Sequence, residues 1–120
     1  MLLEQTDGVM TSALARVEYA SAVRAALAAG RSFDSAEFLD RFDRHAGSEH
    51  RITLLPLRPE PTLQLARDLV GEHRLRTLDA IHLAVAANDG RILAGSDELV
   101  FVTRDADQAA AAAALGLTVR

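Results

Sequence analysis

Cysteine is absent from these 120 residues. That removes disulfide pairing, a thiolate nucleophile and any cysteine-ligated zinc or iron–sulfur centre, and it leaves carboxylates and imidazoles to carry any chemistry. Lysine is absent too: all thirteen basic residues are arginines. A planar guanidinium suits paired contacts to phosphate, although genome composition accounts for the same bias. A receiver-like phosphoryl-transfer domain, which wants a lysine near the end of the chain, is thereby disfavoured. No apolar run approaches the roughly 18 residues that span a membrane. The opening "MLLEQTDGVM" has neither a basic n-region nor an apolar signal core, so a cytoplasmic location is expected. Glycine-rich phosphate loops, a nucleophile elbow and HExxH are all missing. The formal net charge of −4 argues against a broadly basic nucleic-acid surface but leaves a local patch open.

What is present suits one globular domain, with a hydrophobic content of 49% sufficient for a core. "GVMTS" reads as a short extended segment whose Ser12 or Thr11 can cap a helix over about 13–29, which Gly30 ends. A second helix opens near Ser32 or Asp34 and stops at Gly47, with Phe33, Phe38, Leu39 and Phe42 as its apolar stripe. "RITLLPL" is a strand near a sheet edge, because Pro56 cannot donate a ladder hydrogen bond. A helix over about 60–70 follows, with Pro59 and Pro61 suited to its opening turn. "RTLDAIHLAVAAN" is the next helix, which "NDG" either ends or interrupts before "RILAG". "ELVFVT" is a continuous apolar run of the kind that forms a parallel strand covered on both faces. "DADQAAAAAALG" and "LTV" complete a closing β-α-β unit. The fold class expected is α/β: a three-layer α/β/α domain with a mostly parallel sheet.

Most acidic residues lie beside arginines in solvated stretches, and three do not. Glu18 shares one side of the first helix with Leu14, Ser21, Ala22 and Ala25. It is either an inert rim residue or a carboxylate in need of a partner. Asp79 sits in the first turn of "TLDAIHLAVAA", where Thr77 can cap and the dipole favours a carboxylate. Leu83 and Ala86 share its face, however, so it can equally point toward protein. Asp105 follows the apolar strand, where open parallel sheets bind ligands. It can also be a helix N-cap, with Gln108 completing a capping box. Carboxylates gathered near strand ends repel one another unless a hard cation such as Mg²⁺ or Mn²⁺ sits among them, and such a site suits phosphodiester hydrolysis. His82, among alanine, leucine, isoleucine and valine, reads as a core histidine, and His45, His50 and His73 show no metal-ligand spacing.

"VMTSALARVEYASAV", "RTLDAIHLAVA" and "LVFVTRD", in this order, resemble the PIN domain, in particular the VapC-like toxins of toxin–antitoxin pairs. The likeness covers nearly the whole chain from about Gly8 to Val119. It implies a small α/β/α nuclease with a parallel sheet and an acidic, Mg²⁺- or Mn²⁺-dependent site that cuts RNA. On that pattern Glu18 is the helix-borne glutamate, Asp79 the aspartate at the start of the central helix and Asp105 the aspartate after the following strand. Thr103 matches a hydroxyl beside it. Asp79 and Asp105 would bind the cation directly, Glu18 would bind through it or orient water, and Thr103 would support the nucleophilic water. Arg104, Arg74 and Arg76 are the nearest phosphate contacts in sequence.

The family pattern begins with a strand ending in Asp-Thr-Ser or Asp-Ser-Ser, for which this sequence has no counterpart. Asp7 precedes the first strand instead of ending one, and "MLLEQTD" resembles the tail of the helical region that follows that strand. The expectation is an N-terminally truncated reading of the family fold. Two functions follow: a divalent-metal endoribonuclease toxin, or an inactive PIN-like chain that acts by binding RNA or an antitoxin. Homodimers are expected, since a sheet short of a central strand has surface to hide.

Overall fold

The computed structural model describes residues 8–120, so "MLLEQTD" and Asp7 lie outside the described residues. The architecture is mixed α/β, as expected, with helices flanking short strands in a manner consistent with a three-layer α/β/α fold. Two compact units part between Leu54 and Leu55.

The N-terminal unit holds β1 (Val9–Ser12), α1 (Ala15–Ala28), α2 (Ser35–Ala46) and most of β2 (Ile52–Leu55). β1 pairs with β2. Ser12 Oγ accepts the Leu14 N–H at 2.9 Å and so turns the chain out of β1 into α1. α1 ends as its glycine requires: Gly30 has φ +88°, and Gly30 and Arg31 donate to Leu27 and Ala26, the paired closing bonds of a Schellman motif. Asp34 caps α2 by accepting the Glu37 N–H at 3.1 Å, resolving the choice between Ser32 and Asp34. Tyr19 stacks on Phe42 with ring centroids 4.9 Å apart, which joins α1 to α2. Between them these two helices bury one residue, Val23.

The C-terminal unit holds α3 (Gln64–Glu72), α4 (Thr77–Val85), α5 (Arg91–Ala94), β3 (Val100–Phe101), α6 (Ala106–Ala114) and β4 (Thr118–Val119). The helix expected from Glu60 starts later, at Gln64. Glu60 is extended, at φ −133° and ψ 139°, because a residue before proline is pushed out of the helical region. α4 does not stop at "NDG": Ala86–Gly90 winds in a wider π-type turn and leads straight into α5. Gly90 keeps a helical φ of −61°, and Asp89 of that turn, its side chain 12% exposed, pairs with Arg58 at 3.0 Å.

β3 and β4 form a parallel ladder, Val100 opposite Thr118 and Phe101 opposite Val119, with α6 as the crossover. The expected strand over "ELVFVT" is shorter than its apolar run, and its two residues are both half-buried. Leu99 and Phe101 pack against the core cluster, whereas Val102 is 66% exposed. Val102 lies just past the end of the strand.

The core of this unit is Ala66, Leu69, Leu75, Ala80, Leu83, Ala84, Ala111, Ala112 and Leu117. The alanine run of α6 is thereby explained. Ala111 and Ala112 are fully buried, as are Ala80 and Ala84 of α4, and small side chains let helices approach closely. Gly116 at φ +83° closes α6 with a second Schellman motif, Leu117 donating to Ala112 and Gly116 to Ala113. Among the described residues no helix is long and apolar enough to cross a membrane.

Candidate acidic site

Asp79 stands at the third position of α4. The cap is not Thr77, as the sequence suggested, but Arg76, whose φ −74° and ψ 160° hold it extended. Thr77 is the first helical residue and makes no side-chain cap bond. Asp79, 24% exposed at its side chain, accepts from Arg76 Nε at 3.2 Å through Oδ2. The Arg76 side chain is 86% exposed, so the pair contributes no more than about 1 kcal/mol.

Asp105 caps α6: its Oδ1 accepts the Gln108 N–H at 2.8 Å. The reciprocal half of the expected capping box is not made by Gln108. The Asp105 N–H instead donates to Thr103 Oγ1 at 3.1 Å, because the Gln108 side chain is engaged elsewhere. Gln108 Oε1 accepts the Thr103 hydroxyl at 2.6 Å, and its Nε2 donates to the backbone carbonyl of Asp79 at 3.1 Å. Asp79, Thr103 and Asp105 are therefore gathered around one buried glutamine, 8% exposed. Sequence reasoning assigned Gln108 to the local cap alone. Its one outward signal is that of a lone amide in an otherwise alanine-rich first turn.

Asp105→Ala is expected to cost about 1 kcal/mol through loss of the cap, and Asp105→Asn, which keeps the acceptor oxygen, far less. Urea unfolding of the two variants checks the difference.

Glu18 is half-buried on α1 of the N-terminal unit, and Ser21, Ala22 and Ala25 beside it are exposed. His82 is half-buried in α4, while Arg74 and Arg104 are exposed. Among the described residues no three His, Asp or Glu side chains group so as to hold a metal ion. One oxygen of Asp79 is already taken by Arg76 and one of Asp105 by the cap. Each carboxylate keeps its second oxygen, and a hard cation that retains several waters asks for only one or two carboxylates, so Asp79 and Asp105 are the groups of this corner that could hold one.

Compared with known proteins, the chain is 36% identical over 110 residues to Ribonuclease VapC47 of Mycobacterium tuberculosis (strain CDC 1551 / Oshkosh), a match covering 82% of this chain and 72% of that protein. The chain belongs to the PIN-domain superfamily. No family model and no solved structure matches it. Within this PIN-domain chain, two of the three segments that carry the resemblance, "RTLDAIHLAVA" and "LVFVTRD", lie in the C-terminal unit and meet at Gln108.

Proposed function

We propose that this PIN-domain chain acts by binding a protein partner of the antitoxin type, through apolar side chains of α1 and α2. The observation that carries this reading is how little these helices bury. Val17 is 67%, Leu27 41% and Phe38 40% exposed, and exposed apolar surface is what a partner covers. Leu14 and Phe42, further apolar residues of this helix pair, are half-buried, and Phe42 is spent on Tyr19. Among the described residues no three His, Asp or Glu side chains group so as to hold a metal ion, which supports a role in binding over one in hydrolysis.

The test pairs thermal unfolding with RNA integrity. Millimolar Mg²⁺ or Mn²⁺ is expected to change neither. An antitoxin-type partner protein, supplied at about 100 times its Kd, is expected to add about 2.7 kcal/mol and to raise Tm by about 10 °C. Cation-dependent RNA cleavage that disappears in Asp79→Ala would overturn the reading.

That outcome would establish the second reading, a divalent-metal endoribonuclease toxin, which the clustering of Asp79, Thr103 and Asp105 about Gln108 favours. There Asp79, Asp105 and Glu18 are the acidic groups, and Arg104, Arg74 and Arg76 make the phosphate contacts.

A further inference from the structure

Gln108 is nine-tenths buried in the first turn of α6, and each of its hydrogen-bonding groups toward this corner has a named partner. Its N–H donates to Asp105 Oδ1, its Nε2 to the Asp79 carbonyl, and its Oε1 accepts from Thr103. The chemistry leaves one arrangement. The Asp79 carbonyl can only accept, so Nε2 faces it; Oε1 then faces Thr103 and, being an acceptor, takes the hydroxyl proton. The Thr103 oxygen is left with lone pairs, one of which receives the Asp105 N–H. A single directed chain of hydrogen bonds thus runs from Asp105 through Thr103 and Gln108 to Asp79. Those partners lie on separate segments, the turn between β3 and α6 and the first turn of α4, which are remote in sequence.

We infer that Gln108 is the positioning residue of the acidic corner: its amide holds the Thr103–Asp105 turn against the Asp79 turn and so decides where both carboxylates stand. Thr103 relays that position, its one proton being committed to Gln108. The importance of this role rests on the second reading above, in which Asp79 and Asp105 are working groups, but the joint is tested independently of it. Gln108→Met keeps the length and apolar bulk of the side chain and deletes the amide. Thr103→Val deletes the hydroxyl at nearly constant shape. Gln108 is buried and Thr103 half-buried, and each change leaves hydrogen-bonding partners unsatisfied.

The experiment uses the full chain. Carboxyl-carbon NMR resonances of Asp79 and Asp105 at one fixed pH, and Tm, are recorded for the parent, each variant and the pair. Expected is a fall of about 5 °C or more for each variant, a double variant no worse than the larger single one, and movement of both carboxyl resonances in Gln108→Met. Gln108→Glu at neutral pH keeps the acceptor for Thr103 and loses the donor to Asp79, so it is expected to move Asp79 more than Asp105. Additive Tm losses with both resonances unmoved would overturn the inference and reduce Gln108 to packing. If Gln108→Met does not fold, Thr103→Val decides by the same resonances: movement at Asp105 supports the joint, and none overturns it. A parent chain that cuts no RNA removes the nuclease reading alone, because the resonances report the joint whether or not RNA is cleaved.

Discussion

Leu83→Ala is expected to lower the unfolding free energy by about 2–5 kcal/mol, toward the upper end of that range. Leu83 is fully buried in α4 and belongs to the cluster that includes Leu69, Ala80, Ala84, Ala111 and Ala112. The cost of a deleted isobutyl group depends on how far its surroundings collapse into the space. Alanine has no side chain that can swing into a void, so four of these five neighbours can close the cavity only by moving backbone. A domain stable by about 5–15 kcal/mol would lose a large part of its margin. Leu83→Met, which conserves volume, should cost less than about 1.5 kcal/mol. Urea denaturation checks both, with the midpoint shifting and the slope unchanged. The effect reaches the site as well, because Leu83 lies one turn below Asp79 on the same helix. A loss under about 1 kcal/mol would mean that the packing of α4 against α6 is looser than the burial of these alanines indicates.

Val17→Glu with Leu27→Glu is expected to weaken partner binding by about 100-fold while moving Tm by no more than about 2 °C. Both side chains are exposed on α1, so replacing them removes little folded-state packing, and glutamate is a good helix former. In a complex the same positions would be covered. Losing an apolar contact of this size and burying a carboxylate in its place costs more than about 1 kcal/mol at each position, or roughly tenfold apiece. Calorimetric titration with the partner checks the affinity, and thermal unfolding of the free chain checks the fold. Unchanged affinity would remove α1 from the interface. A matching loss of Tm would show instead that the two residues are part of the fold of the N-terminal unit.

Local rules were enough to place much of this molecule. Asp34 and Asp105 cap their helices, Gly30 closes α1 in the left-handed region, and α6 crosses over between two short parallel strands. The caps and the glycine turn follow from contacts within about five residues, which is the range over which helix period, caps and glycine conformation act, and the crossover follows from the order of strand, helix and strand along the chain. The α/β class followed from their order, and three short segments in sequence were sufficient to suggest the family. Local rules misled at the opening turns of α4 and α6. Thr77 and Gln108 have good local roles as cap and capping box. The backbone of Arg76 displaces the first, and the Asp79 carbonyl, 29 residues away, captures the second.

Tertiary structure alone decided that Asp79, Thr103 and Asp105 meet at one amide, that Val102 in an apolar run is left exposed, and that Val17, Leu27 and Phe38 stay exposed. A side chain's composition states what it can donate, accept or bury. Which partner it finds depends on which segments the core brings within about 3 Å, and here that is set by small alanines letting α6 lie close to α4.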